Sequence, residues 1–418
     1  WNHLYLHNND GSLINPITSG EFTVLNTELI DEKNGLVYFT ARGKENTART
    51  DLYSVKMNGS EMKRLTFGDY NHTQVRLSPN GKYFVTSYSN TTTPTKMTLL
   101  DGKGKIVREL GDSKGSAMGD FQIAKTEFIR IKSADGLFEL PAQVTWPANM
   151  DPNKKYPMLV DIYGGPNAGN TWDSWSWNQT REIYSQEGLI HVKFDHRASG
   201  HFGKAGVNYM HRNLGYWEMQ DYMHMAKWFI QNGQADPSKI AITGFSYGGY
   251  MSTYALTYGS SVFTHAMAGG SVVDWKLYDS HYTEKFMDTP AENPEGYKSG
   301  SVLTHIDKFN GVLQLVHGTM DDNVHMQNSI QLVSALQDKG KDFEANTEFL
   351  EKIKSVEGVE LVSKTISDKA LIKNYDKQAL VLLKGVDDNF RRITHIDSVI
   401  EEGTYGLNTP NSAKILLG

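Results

Sequence analysis

Through residues 1–118, short apolar runs alternate with turn-forming pairs. Leu36-Val37-Tyr38-Phe39-Thr40, Leu52-Tyr53-Ser54-Val55, Tyr83-Phe84-Val85-Thr86 and Met97-Thr98-Leu99-Leu100 read as strands. Among them lie Asp10-Gly11, Asn34-Gly35, Asn58-Gly59, Asn80-Gly81 and Asp101-Gly102. Each pair predicts a type I′ hairpin, in which both central residues need positive φ. The turns recur every twenty-odd residues, so two hairpins make a unit of about 45 residues, the size of a four-stranded propeller blade. A β-sandwich would show similar turns. Read as blades, the stretch supplies two or three, fewer than the four to eight that close a ring. Most of a propeller is therefore expected before Trp1.

After Gly119 the pattern changes to apolar runs without strict alternation. They lie at Met158–Tyr163, Leu189–Phe194, Ile240–Thr243 and Val312–Val316, with helical segments between them. In Tyr216–Gln231 the residues Trp217, Tyr222, Met225, Trp228 and Phe229 fall on one helical face. Strands alternating with helices predict a largely parallel sheet.

The sharpest local signal is Gly244-Phe245-Ser246-Tyr247-Gly248-Gly249, after the strand Ile240–Thr243 and before a helix over Tyr250–Tyr258. A serine on such a turn sits in a strained elbow, with glycines on either side because strand and helix backbones approach there. The next N–H then lies at a helix N-terminus, where negative charge is favoured. Ser246 is the candidate nucleophile. His317-Gly318-Thr319-Met320-Asp321-Asp322-Asn323-Val324 follows the strand ending at Val316. A carboxylate on the loop after a late strand is where an α/β-hydrolase orients its imidazole. Asp321 is the candidate for that role and Asp322 for capping the helix Met326–Leu336.

Composition narrows the alternatives. A formal net charge of −6 over 418 residues offers no basic footprint for nucleic acid or an anionic membrane. No apolar run reaches the roughly 20 residues of a membrane span. The absence of Cys excludes disulfides, thiolate catalysis and Cys-based metal sites. No metal or cofactor is expected. The chain opens at Trp1 without the charged and apolar regions of a signal peptide. It reads as a piece cut from something longer.

Residues 1–344 resemble the C-terminal part of bacterial dipeptidyl peptidase IV, of the prolyl oligopeptidase family. The resemblance rests on Ser78-Pro79-Asn80-Gly81-Lys82, Asp161-Ile162-Tyr163-Gly164-Gly165-Pro166, Phe194-Asp195-His196-Arg197, Gly244–Gly249, the run Asp274–Glu284 and His317–His325. It implies a serine exopeptidase that releases dipeptides from peptide N-termini, through an acyl-enzyme, when the second residue is Pro or Ala. Carried over, Ser246 is the nucleophile and Asp321 the orienting carboxylate. The Tyr163 hydroxyl and the Tyr247 N–H form the oxyanion hole. Tyr247, Val272, Trp275, Tyr278, Tyr282 and Val324 line the proline pocket, and Asn323 bonds the substrate backbone. Flat aromatic walls suit a pyrrolidine ring, and a phenol can donate to a developing oxyanion. Each aromatic could equally be packing. The resemblance also implies a periplasmic or extracytoplasmic location and leaves room for a homodimer.

Two parts of that machinery are not found. The acidic pair and Arg that hold the substrate amine belong to propeller preceding Trp1. The family's catalytic His, in a His-Gly turn after the helix following the Asp, has no counterpart once the sequence departs after Glu344. His317 and His325 belong to the Asp motif and read as structural. His395, in Arg392-Ile393-Thr394-His395-Ile396, is the one His farther on, in surroundings unlike the family's. Losing a triad member leaves about 10³–10⁴-fold over water, from the oxyanion hole and binding. An impaired peptidase is expected.

Residues 345–418 carry a separate pattern. An amphipathic helix over Phe349, Leu350, Ile353 and Val356 with Gly358 as cap precedes strand-like Val359–Val362 and Ala379–Leu383. With Lys384-Gly385-Val386-Asp387-Asp388-Asn389-Phe390, the stretch resembles the extracytoplasmic domain of an ABC transporter permease of the lipoprotein-releasing or macrolide-exporter type. Asp387-Asp388 reads as a turn rather than a metal site. The expected architecture is thus a partial all-β propeller over 1–118, an α/β-hydrolase core over 119–344 without its last turn, and a small α+β segment over 345–418. Two joined fragments are the simplest account of the junction. The rival to the enzyme reading is a catalytically dead composite whose propeller and tail are binding modules, and a broader esterase is a third.

Overall fold

A computed structural model describes residues 1–44 and 46–341, together with the strands Thr365–Asn374 and Lys377–Val386. The chain divides into two compact units, Trp1–Lys341 and Asp342–Gly418.

The first unit opens with all-β structure. Strands β1 (Tyr5–His7) and β2 (Leu13–Pro16) pair as a hairpin. Then β3 (Thr23–Asp31), β4 (Leu36–Arg42), β5 (Thr50–Lys56) and β6 (Lys63–Arg64) form one four-stranded antiparallel sheet. A second contains β7 (Asn71–Leu77), β8 (Tyr83–Ser89), β9 (Lys96–Asp101) and β10 (Ile106–Asp112). All four runs read as strands are strands. Val37, Phe39, Tyr53 and Val55 fill one core, while Tyr38, Leu52, Phe84 and Leu100 fill the next, so β4 and β5 feed both. This is the sheet-beside-sheet arrangement of propeller blades.

The hairpin turns differ from the type I′ expectation. Gly11, Gly35, Gly59 and Gly81 have positive φ, but the Asp or Asn before each does not. Gly35 N–H bonds Glu32 O, Gly59 N–H bonds Lys56 O and Gly81 N–H bonds Ser78 O, so each glycine closes a turn begun three residues earlier. The side chains supply the reason. Asn58 Oδ1 accepts from Ser60 N and Asn80 Oδ1 from Lys82 N, a local bond that favours the ordinary backbone conformation at Asn. In the last hairpin Gly104, not Gly102, takes the left-handed position.

A seven-stranded sheet follows. It is built of β11 (Thr126–Lys132), β12 (Glu139–Thr145), β13 (Tyr156–Asp161), β14 (Ile190–Phe194), β15 (Ala235–Phe245), β16 (His265–Gly269) and β17 (Val312–Val316). Their spatial order is β11-β12-β14-β13-β15-β16-β17. The first two pairings are antiparallel and the rest parallel. Helices α1 (Gln179–Gln186), α2 (Gly203–Val207), α3 (Tyr216–Gln231), α4 (Tyr247–Thr257), α5 (Ser280–Met287), α6 (Pro294–Ser299) and α7 (Gln327–Asp338) connect or follow the strands. The α/β-hydrolase class is therefore observed. Helix α3 packs on β15, and α4 on β15 and β16.

The buried stripe of α3 consists of Met219, Tyr222, Met225, Ala226 and Phe229, whereas Trp217 and Trp228 are only half-buried at its margins. Glu218 and Asp221 share the buried side. The all-β part is tied to the hydrolase sheet by polar contacts. Arg49 Nε donates to Asp173 Oδ2 at 2.7 Å, and Arg130 Nη2 donates to Asn46 Oδ1 at 2.7 Å. His201 Nε2 bonds Asp195 Oδ2 at 2.9 Å while its other ring nitrogen reaches Thr47 O at 3.1 Å.

In the second unit, β18 (Thr365–Asn374) and β19 (Lys377–Val386) form an antiparallel hairpin. The run Ala379–Leu383 lies in β19, and Lys384-Gly385-Val386 completes that strand. The helix expected around Phe349–Gly358, the run Val359–Val362, Asp387-Asp388 and His395 lie outside the described residues.

Candidate active site

The parallel order of β13, β15, β16 and β17 brings the chain segments that leave these four strands to one end of the sheet. Open α/β sheets place chemistry at that end. Ser246 lies between β15 and α4 with φ 59° and ψ −116°. A non-glycine residue held there stores about 1–3 kcal/mol of strain. Ser246 N–H donates to Gly269 O at 2.9 Å and Tyr250 N–H to Ser246 O at 2.9 Å. The helix therefore starts at Tyr247, earlier than the expected Tyr250, because the elbow already closes its first turn. A Cβ on Gly244 would stand 2.6 Å from Ile162 O, and one on Gly249 would stand 2.2 Å from Gly269 O. Both distances are too short for a side chain, so the glycines are required by the approach of β13 and β16. The Ser246 hydroxyl makes no capping bond to α4.

From Ser246 an aromatic chain runs outward. The Tyr247 ring lies 6.3 Å from that of Tyr163 and 5.2 Å from that of Trp275. Trp275 stacks on Tyr282 at 6.4 Å, and Tyr278 meets Tyr282 edge-on at 5.6 Å. The Tyr278 hydroxyl donates to Asn323 Oδ1 at 3.1 Å. Burial raises the Tyr278 and Tyr282 phenols above their ordinary value, so both stay protonated at neutral pH. Val272 and Val324 are buried beside this chain in sequence, just after β16 and just before α7.

Asp321 sits on the loop after β17. Its Oδ1 accepts from Asn323 N at 3.1 Å and Val324 N at 2.9 Å, which fixes the loop. A Cβ on Gly270 would lie 3.6 Å from Asp321 Oδ2, and Gly270 directly follows the residue that bonds Ser246 N–H. Asp321 thus closes a turn within the loop, and the helix cap expected of Asp322 is not formed. The cap residue of α7 is Met326, with no side-chain bond. Asp322 is four residues too early to reach the helix N-terminus.

Among the described residues, the imidazole beside Asp321 is His317, with Nε2 3.6 Å from Asp321 Oδ2. Its nitrogens have other partners. Nε2 lies 2.7 Å from Val324 O and Nδ1 2.6 Å from Ser329 Oγ. A carbonyl only accepts, so Nε2–H donates to Val324 O, while Nδ1 is paired with the Ser329 hydroxyl. These two bonds tie His317 to Val324 in the Asp loop and to Ser329 in α7.

Two supporting residues escaped the sequence reading. Glu218, fully buried in the first turn of α3, accepts from the Tyr247 hydroxyl and from Gly215 N–H, both at 2.7 Å, through the same oxygen. Burial pushes its carboxyl up to about 7. His196 takes Ala198 N–H on Nδ1 at 3.1 Å, so Nε2–H donates to Gly164 O at 3.0 Å beside Tyr163. A signal for Glu218 existed, since it stands four residues before Tyr222 on the apolar stripe of α3. A charged residue at such a position needs a buried partner. His196 lay within the motif Phe194-Asp195-His196-Arg197, but its partner, a backbone carbonyl, left no trace in the sequence.

Residues 174–352 match the model of the prolyl oligopeptidase family, and residues 1–95 match the dipeptidyl peptidase IV N-terminal region. Over these two stretches the chain is similar to the prolyl oligopeptidase family. Its relatives include a probable dipeptidyl-aminopeptidase B of Talaromyces marneffei, 33% identical over 333 residues, covering 78% of this chain and 37% of the relative. Dipeptidyl peptidase 4 of Trichophyton equinum is 33% identical over 351 residues, covering 81% and 45%. The crystal structure of Porphyromonas gingivalis dipeptidyl peptidase 4 superposes with a TM-score of 0.75 at 31% identity, covering 81% of this chain and 48% of that one. The chain therefore spans less than half the length of these relatives.

A separate open groove of about 500 Å³ beside α1 is lined by Phe121, Ile123, Trp177, Glu182, Ile183 and Gln186, among others. It shares no residue with the candidate site around Ser246. Among the described residues, no three His, Asp or Glu side chains gather to hold a metal, and no helix is long and apolar enough to cross a membrane.

Proposed function

We propose that this chain carries the nucleophile, oxyanion hole and proline pocket of a serine dipeptidyl peptidase that acts on peptides with Pro or Ala in second position. Ser246 Oγ attacks the carbonyl carbon of that residue and its proton passes to a base. The Tyr163 hydroxyl and the Tyr247 N–H stabilise the oxyanion. The C–N bond then breaks, the leaving amine takes up the proton, and an acyl-enzyme remains for water to hydrolyse. Trp275, Tyr278, Tyr282, Val272 and Val324 enclose the pyrrolidine ring, Asn323 bonds the substrate backbone and Asp321 orients the base. The observation that carries this reading is the conjunction of Ser246 at φ 59° with the aromatic chain that starts at the next residue, Tyr247.

The same proposal includes impairment. His317, the imidazole beside Asp321, is held by Ser329 and Val324. The test is labelling with a fluorophosphonate, followed by hydrolysis of Xaa-Pro amides and simple acyl esters. An adduct on Ser246 that is lost in Ser246→Ala, with prolyl substrates preferred, supports the peptidase. Ester cleavage without prolyl preference supports a broader esterase. No adduct on a folded chain favours a catalytically silent binding protein, the reading that His317's commitments support.

Residues 345–418 are proposed as a separate segment resembling a permease extracytoplasmic domain, joined to 119–344. The division of compact units at Lys341/Asp342 and the β18–β19 hairpin support it, while the family match itself extends to residue 352. Sequencing the source transcript across Glu344-Ala345 tests the junction, and one continuous transcript with a stable product defeats the joined-fragment account. An extracytoplasmic location and a homodimer belong to the same proposal. Fractionation and sedimentation of the chain in its native host test them.

A further inference from the structure

We propose that Glu218 is the positioning residue that sets the Tyr247 ring, and through it both the prolyl-selective wall and the geometry of the elbow. The inference rests on the reading of the aromatic chain as a prolyl pocket. Three observations carry it. Glu218 Oε1 takes the Tyr247 hydroxyl and Gly215 N–H at 2.7 Å each, so the far end of the phenol is anchored to the start of α3. Tyr247 is 3% exposed and its ring touches Tyr250 at 5.4 Å, Trp275 at 5.2 Å and Tyr163 at 6.3 Å. A Cβ on Gly164 would meet Tyr247 Cδ1 at 3.6 Å, so the same ring supports the loop that presents Tyr163.

The remaining oxygen, Glu218 Oε2, is buried without a partner. A core that needed only packing would be better served by an apolar side chain, because an unsatisfied buried polar atom costs free energy. Capping Gly215 N–H needs one acceptor and does not require Tyr247's hydroxyl. The second bond is the one that couples α3 to the residue after the nucleophile. Deleting either partner frees the phenol end, and the ring can then tilt within the space beside Trp275 and Tyr163.

The test uses the full chain. Binding of the dipeptide Ala-Pro is read by quenching of tryptophan emission, which needs no catalysis. Acylation by p-nitrophenyl acetate, mapped to Ser246 by mass, reports the nucleophile separately. Glu218→Leu and Tyr247→Phe should each weaken Ala-Pro binding about tenfold. The double variant should lose no more than Glu218→Leu alone, since the bond that Tyr247→Phe removes is already absent there. Glu218→Gln keeps the accepting oxygen and should stay within about threefold of the parent. Unchanged binding in Tyr247→Phe, losses that multiply in the double variant, or no Ala-Pro binding by the parent overturns the inference. Should Glu218→Leu fail to fold, Tyr247→Phe and Glu218→Gln still decide it. Ala-Pro binding without acylation of Ser246 removes the nucleophile reading alone.

Discussion

The Tyr247 hydroxyl donates to Glu218 Oε1 at 2.7 Å, joining the residue after the elbow serine to a carboxyl buried under α3. Burial raises that carboxyl from 4.5 to about 7 despite the bond, with the neighbouring Asp221 pushing the same way. The folded state therefore holds a proton there that the unfolded chain has already lost above 4.5. Stability supplied by this group is full below pH 4.5 and declines as pH rises through 7, by about 3 kcal/mol in total. Glu218→Gln does not titrate, so its stability relative to the parent should increase between pH 5 and pH 8. Urea unfolding at both values checks this, and a parent-to-variant difference that does not change with pH would contradict it.

Gly249 sits where α4 passes β16, with room for no Cβ. Gly249→Ala places a carbon 2.2 Å from Gly269 O, the acceptor of Ser246 N–H. Helix and strand must separate, at a cost of about 1–3 kcal/mol or more. The substitution should lower the melting temperature and reduce fluorophosphonate labelling together. Gly111→Ala is the control, since nothing lies within 4 Å of its Cβ position and its φ is not positive. It should stay within about 0.5 kcal/mol of the parent. Equal stability of the two variants would remove the steric account of the elbow.

His191 in β14 behaves in the opposite sense to Glu218. Burial, followed by the positive charges of Arg181 and Lys193, lowers its imidazole from 6.5 to about 3. Asp161 lies 3.7 Å away but is itself raised by burial, so this close pair does not keep His191 charged. The unfolded chain binds a proton near 6.5 that the folded chain refuses. Stability from this group is complete above 6.5 and is lost as pH falls through 3, on the order of 5 kcal/mol overall. His191→Gln should flatten the acid side of the stability profile between pH 6 and pH 4. An equally steep decline in the variant would assign acid sensitivity to other groups.

How far the sequence revealed the site depended on how local its physics is. The elbow was legible because glycine, strand and helix signals coincide within six residues around Ser246. The loop position of Asp321 was legible from its place after a strand, but the neighbouring aspartate was misassigned, since capping depends on where α7 begins. The hairpins of 1–118 were found from Asx-Gly pairs, yet their turn type was missed because Asn58 and Asn80 bond the chain two residues on. Glu218, despite its place on the apolar stripe of α3, and His196 were missed as supports because their partners, Tyr247 and Gly164, lie in other elements. Periodicity along one element does not report who faces it across a core.

The commitments of His317 lead to a chemical test of whether Ser246 has a base. Its Nε2 is directed to Val324 O and its Nδ1 to Ser329 Oγ, so both ring nitrogens are engaged by partners other than Ser246. If Ser246 lacks a base, free imidazole in solution should speed its acylation by p-nitrophenyl acetate beyond the uncatalysed imidazole rate. A positioned base contributes about 10²–10⁴-fold, and a diffusing one should recover only part of this, roughly tenfold. Ser246→Ala must abolish the gain. His317→Gln should lower stability through the two lost loop bonds but leave the imidazole response intact. His395→Ala should leave acylation of the chain unchanged. Acylation that is fast without imidazole and falls in His395→Ala would instead identify that residue as the base, and would overturn the expectation of impairment.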